Sequence, residues 1–307
     1  MKNSMRWLSA LLCLFHLGAA QALTLNPQEV VPGVYAFIGD TGMRTEANEG
    51  MNANTGFIVT DAGVVVIDSG STWKVAQEIH RVIRTVTRQA VKVVVNTGGQ
   101  DHRWLGNGYF KSIGAEIIAA RPAQADMQAR GRMHLEALQK VLRDKTEGTQ
   151  PVYPDRYFDQ SETLTMGGQE IRLLYFQGGH TPGDCVVWLP KQKVLFSGDL
   201  VYVDRLLGVL PFSNTSDWLA SFAAMEKLEP ETIIPGHGKV CDLAQARRDT
   251  ADYLRLLTTY MQQAVENGIE LQVAMDSLDQ SAFKRLSNYD LLRGVNASRT
   301  YLEMESR

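Results

Sequence analysis

Short runs of Val, Ile, Phe and Leu alternate with polar, glycine-containing breaks along most of this chain. Segments 34–39, 55–60 and 64–68 are apolar, bounded by Gly and Asp, and predict strands. Asp61-Ala62-Gly63 is a tight-turn signal that joins the last two as a hairpin. Over 72–87 the period changes. Val75, Ile79, Val82, Ile83 and Val86 recur every three or four residues, which predicts an amphipathic helix. Segments 91–95 and 117–120 predict short buried strands, followed by a long helix from about 122 to 143. The second half repeats the alternation: strands at 170–176, 185–189 and 194–197, a helix at 216–228, a short strand at 232–235, and mainly helix from 243 onward. Strands interleaved with helices imply sheets covered by helices in an α/β layering. No Pro/Gly/Ser linker interrupts the pattern, so 23–307 reads as a single domain.

The first 22 residues read differently. Lys2 and Arg6 precede an apolar run from 7 to 20, and Ala20-Gln21-Ala22 is a small-x-small cleavage site. This predicts a cleaved secretory signal, with an uncleaved anchor as the alternative, and in a bacterium it places the mature chain in the periplasm. Losing Lys2 and Arg6 leaves 29 basic against 34 acidic residues, a charge of −5 in place of −3. No cluster of Lys and Arg marks a nucleic-acid surface, and no other segment is apolar enough to insert in a membrane. Cys185 and Cys241 remain after cleavage. They are read as small buried apolar residues, a disulfide being the other choice in an exported chain.

Four short strands end in the same way. The apolar run 91–95 leads to Asp101 and His102, 173–176 to His180, 194–197 to Asp199, and 232–235 to His237, most with Gly alongside. Strand ends opening into loops are where layered α/β folds place their sites. Imidazole nitrogen and carboxylate oxygen are ligands for zinc and similar divalent ions. The mature chain has five histidines, and three of them fall at these strand ends. The other two, His80 and His134, lie on predicted helices without a ligand partner at helical spacing and are read as structural.

The order and spacing of these pieces resemble the metallo-β-lactamase superfamily. The hairpin Asn54-Thr55-Gly56-Phe57-Ile58-Val59 and Val66-Ile67-Asp68-Ser69-Gly70 looks like its opening. Gly179-His180-Thr181-Pro182-Gly183-Asp184, Ser197-Gly198-Asp199 and Pro235-Gly236-His237-Gly238 look like its later motifs. The resemblance implies a four-layer αββα sandwich with the site along one edge of the sheets. Within the superfamily, the 101–107 run and the ending Asn296-Ala297-Ser298-Arg299-Thr300-Tyr301-Leu302-Glu303 resemble the periplasmic quinoprotein relay system metallohydrolases. That finer resemblance implies a link to a quinoprotein dehydrogenase partner.

The pattern breaks at one place. The family's Thr-His-x-His-x-Asp-His stretch reads Thr97-Gly98-Gly99-Gln100-Asp101-His102 here, so, anchored on Asp101 and His102, it is one residue short and lacks both leading histidines. Thr, Gly and Gln do not replace two imidazoles. The resemblance then implies one ion rather than two, held by Asp101, His102, Asp199 and His237, with His180 a further candidate ligand. Zinc is expected, with iron or manganese as alternatives. An ion of this kind lowers the pKa of its water to roughly 7, and the resulting hydroxide attacks an ester, thioester or amide (β-lactam-like) carbonyl. Asp101 and His180 are the candidate catalytic groups for the proton. Arg205 is placed either at the mouth, holding an anionic part of a small-molecule substrate, or simply in solvent. The competing expectation is a non-catalytic metal- or ligand-binding protein that has lost half of its site.

Overall fold

The computed structural model describes residues 23–307, so the expected export signal over 1–22 lies outside the described residues. Two sheets pack face to face. The first has seven strands in chain order: β1 (Gln28–Val31), β2 (Val34–Phe37), β3 (Thr55–Thr60), β4 (Gly63–Ile67), β5 (Val91–Asn96), β6 (Glu116–Ala120) and β7 (Arg156–Phe158). It is antiparallel from β1 to β4 and parallel from β4 to β7. The second contains β8 (Ser161–Met166), β9 (Gln169–Tyr175), β10 (Cys185–Leu189), β11 (Val194–Tyr202) and β12 (Thr232–His237), in the order β12-β11-β10-β9-β8. Only β11 and β12 run parallel in it.

The period-two alternation of strands decides what each face covers. In β4, Val65 and Ile67 join Val93, Val95, Leu173, Val187 and Phe196 in the layer between the sheets. Val64 and Val66 point the other way, against Val75, Ile79 and Ile83 of α1 (Trp73–Val86). On the far side, Val186, Trp188 and Leu195 meet Tyr253, Leu254, Leu257 and Met261 of a long C-terminal helix. Strands covered on both faces must be apolar throughout, and each fully buried aliphatic side chain contributes about 1.5–3 kcal/mol. The expected four layers are therefore present: helix, sheet, sheet, helix.

The remaining helices are α2 (Asp101–Trp104), α3 (Asn107–Ser112), α4 (Arg121–Leu142), α5 (Thr215–Glu226), α6 (Leu243–Ala246), α7 (Asp252–Glu266), α8 (Leu271–Ser277) and α9 (Tyr289–Glu305). A π-helical turn at Arg247–Ala251 joins α6 to α7. The helix expected at 72–87 is α1, capped by Thr72, whose hydroxyl accepts from the Val75 amide at 3.1 Å. Several elements differ from the sequence pattern, the short strands β1 and β7 among them. Residues 101–112, for which the sequence pattern predicts no helix, form α2 and α3. Strand β11 runs on to Tyr202, past the expected end at 197. The edge strand β8 was not foreseen, because its residues alternate between exposed and half-buried and supply no apolar run. Cys185 and Cys241 are free and buried, as the apolar reading expected.

Candidate metal centre

The site lies where β5, β9, β11 and β12 end. After β5, residues 97–100 turn into α2, which carries His102 and Arg103 inward. Asp199 sits within β11, just after Gly198, whose φ of +51° accompanies a break in the β11–β12 register. His237 is the last residue of β12. Asp199 is the hub. Its Oδ2 lies 3.0 Å from His102 Nε2 and 3.5 Å from His180 Nδ1, and its Oδ1 lies 3.2 Å from His237 Nε2. His102, Asp199 and His237 each offer one buried donor atom, all within 4.8 Å of one another, which is a spacing one divalent ion can bridge.

Beneath this trio lies Arg103, which the sequence reading did not single out. Its guanidinium is buried and donates to Asp199 Oδ1 at 2.6 Å, Asp68 Oδ2 at 2.9 Å, the Asn54 carbonyl at 2.8 Å and the Gly236 carbonyl at 3.1 Å. A buried guanidinium is tolerated when its donors are all used and carboxylates balance it. Gly236 is required for that fit, since a Cβ there would lie 2.5 Å from Arg103 Nη2. Counting the family pattern from Thr97 without a gap puts Gly98 and Gln100 at the two leading His places, His102 at the Asp place and Arg103 at the final His. The folded site follows that count: His102, and not Asp101, is the residue that reaches Asp199.

Asp101 is placed apart from the trio. Both of its oxygens are taken by Arg44, in a bidentate pair. Burial opposes its charge, but the Arg44 guanidinium outweighs that and holds the carboxyl well below its usual range. Arg44 arrives on the loop between β2 and β3, 57 residues away in sequence. No local signal could have pointed to it. Gly98 and Gln100 supply no imidazole, and a Cβ at 98 would lie 2.5 Å from Asp184 Oδ1. Behind Gln100, Arg130 of α4 fills the space. It pairs with Asp126, donates to His134 Nε2 at 2.9 Å, and stacks 3.7 Å above the Phe212 ring. His134, expected to be structural, is part of this packing.

The histidines are held in defined roles. His237 Nδ1 donates to the Asn52 carbonyl at 2.6 Å, which leaves Nε2 bare toward Asp199. Its ring stacks on Tyr202, centroids 4.4 Å apart. His180 packs edge-on against Trp218, and its buried Nδ1, like His237 Nε2, has no hydrogen-bond partner among the described residues. Burial holds the His180 pKa down to about 4 against the pull of Asp199. Burial and then Arg205 push His237 well below its ordinary value. Burial disfavours charge on Asp199 too, yet the Arg103 guanidinium, with the hydrogen bond from His102, keeps it ionised, with a pKa well below the ordinary one. Two bare imidazole nitrogens facing a carboxylate form a concentration of lone pairs that calls for a cation between them. The trio therefore fits one ion, whereas the Gly98–Gln100 side offers none of the ligands for a second.

Above the trio is a cleft of about 340 Å³. Met43, Leu138, Val141, Leu210 and Leu292 give it an apolar wall, and Arg44 and Arg205 give it charge. Arg205 is 8% exposed. It donates to the Gly42 carbonyl at 3.2 Å, its Nε has no partner, and among the described residues no carboxylate lies within ion-pair distance.

Residues 48–237 match the Metallo-beta-lactamase superfamily. A type 2 metallo-beta-lactamase from Elizabethkingia meningoseptica is 29% identical over 191 residues, covering 60% of this chain and 68% of that protein. The acyl-coenzyme A thioesterase MBLAC2 of Gallus gallus is 28% identical over 108 residues, so this chain spans only 39% of that relative. Among solved structures, a metallo-beta-lactamase from Pontibacter korlensis superposes with a TM-score of 0.61 at 23% identity, over 76% of this chain and 99% of that one. The sec-alkyl sulfatase PisA1 superposes with a TM-score of 0.71 at 17% identity, over 90% of this chain and 50% of that one. These two likenesses are of fold alone. With well over half of its length matched in sequence and its layered sheets matched in architecture, the chain belongs to the metallo-β-lactamase superfamily.

Proposed function

We propose that this protein is a periplasmic single-ion hydrolase, using zinc, that cleaves an ester, thioester or amide in a small molecule bearing an anionic group. The observation that carries this reading is the convergence of His102, Asp199 and His237, with His237 Nε2 and His180 Nδ1 buried, bare and turned toward the same carboxylate. When bound, the ion supplies Lewis acidity at the acyl oxygen. The chain does the rest. Arg103 fixes Asp199 from below, and Tyr202 and the Asn52 carbonyl fix the His237 ring. His180, neutral near pH 7, accepts a proton from the water that attacks the acyl carbon and returns it to the departing group as the acyl bond breaks. Arg205, a buried cation without a carboxylate, takes the anionic group, and the apolar wall excludes water from the acyl body. The thioesterase and β-lactamase relatives support an acyl substrate. Export and a quinoprotein dehydrogenase partner are part of the proposal, and they rest on the N-terminal segment and the C-terminal resemblance.

A second reading is favoured by one observation. Arg44 occupies the mouth and ties up Asp101, as expected of a ligand-binding protein that has given up catalysis. Metal content after purification without added metal, with a screen of thioesters, lactones and β-lactams, separates the two. About one zinc per chain, lost in His237→Ala, together with hydrolysis abolished in the same variant, is the expected result. A folded protein with neither metal nor hydrolysis would leave the binding protein as the better account.

A further inference from the structure

This inference rests on the single-ion reading. We infer that Arg44 is a positioning residue that competes with the ion for His102, and that Asp101 is the acceptor that takes over when Arg44 leaves. Arg44 Nη2 lies 2.9 Å from His102 Nδ1. A guanidinium has only donors, so Nδ1 accepts, and the proton of the neutral ring is on Nε2. That proton points at Asp199 Oδ2, 3.0 Å away. An imidazole in this tautomer has no lone pair on Nε2, the atom that faces His237 and Asp199, so it does not ligate there.

Ion binding through Nε2 requires the ring proton on Nδ1. With Arg44 in place, two donors would face each other across 2.9 Å. Arg44 must therefore withdraw, and the structure gives it room. Its side chain is 21% exposed and lines the open cleft, and its Nε is held only by Asn52 Oδ1 at 3.3 Å. The contrast is with Arg103, which is fully enclosed. The replacement acceptor is already in position, because Asp101 Oδ1 lies 3.4 Å from His102 Nδ1. With the proton relocated from Nε2 to Nδ1, the ring keeps its net charge. Asp101, freed from Arg44, accepts the Nδ1–H as a carboxylate behind a ligating histidine. Withdrawal also delivers the Arg44 guanidinium into the cleft beside Arg205, where an anionic substrate group binds.

The test combines zinc affinity, read by competition with a chromophoric chelator, and ¹⁵N NMR of the histidine rings, with His102→Gln assigning the signal. In the ion-free full chain His102 is expected to carry its proton on Nε2, and zinc is expected to move it to Nδ1. Arg44→Met is expected to bind zinc about tenfold tighter or more. Zinc bound no tighter by Arg44→Met than by wild type overturns the competition while leaving the single-ion reading intact. So does an ion-free wild type already protonated on Nδ1. If Arg44→Met does not fold, the wild-type tautomer before and after zinc decides by itself. Zinc bound by neither protein overturns the single-ion reading and the competition with it.

Discussion

The two halves of the site differ in what fills them. In one half, His102, Asp199 and His237 turn ligand atoms toward one another, and the cation beneath them, Arg103, is bonded to both oxygens of Asp199 and leaves the two imidazoles free. In the other half the positions that would face an ion carry Gly98 and Gln100, and the room behind them is taken by Arg130, Asp126 and His134. Both halves are electrostatically balanced by arginine, but to different ends. Arg103 supports a carboxylate that His102, His180 and His237 surround. Arg130 closes a network on itself. The lesson is that losing ligands does not by itself leave a hole, since close packing and charge pairing fill it with whatever cation the neighbouring helix offers.

The largest test of this contrast is Arg103→Met. It removes the one guanidinium that pairs with the buried Asp68 and Asp199 carboxylates, and about 3–5 kcal/mol of stability should be lost. Urea unfolding measures it, and a change below about 1 kcal/mol would mean that water reaches these carboxylates. The second test addresses the Arg130 half. Burial holds the His134 pKa down to about 4, below its ordinary 6.5. The unfolded chain therefore takes up this proton first as pH falls, and stability declines between about pH 6.5 and 4, by up to about 3 kcal/mol. His134→Gln should flatten that decline in unfolding curves at pH 7 and 4.5. An identical slope in both proteins would show that His134 is wet.

Smaller effects sharpen the boundary between the halves. Asp101→Asn should weaken zinc binding by about 10–100-fold, because it removes a supporting acceptor, and His237→Ala should abolish it. Equal losses in both would make Asp101 a direct ligand after all. Arg205→Met should raise KM for an anionic substrate by about tenfold with little change in kcat, the pattern of an interaction made equally in ground and transition states. A neutral analogue should be indifferent to the change, and equal sensitivity would assign Arg205 to structure instead of recognition.

Much of this protein was legible along the chain. The change of hydrophobic period from two to three-or-four located β3, β4, β5 and α1, and the Gly-flanked His and Asp at strand ends located His102, His180, Asp199 and His237. Local patterns suffice there, because a strand covered on both faces must be apolar and a loop leaving it must turn sharply. The register of the 97–103 stretch was not decided by those patterns. A count from Asp101 and a count from Thr97 are equally consistent with the residues, and only the folded backbone shows that His102 faces Asp199 while Asp101 faces Arg44. Arg44 and Arg103 carry no local signal at all, since an arginine reads as solvent-exposed until its partners are known. Those partners lie 57 residues away for Arg44 and 96 for Arg103. The sequence by itself determined the layers and the chemical types that line the site. The tertiary structure alone decided which charges meet, because Coulomb energy depends on distance and burial in space and not on separation along the chain.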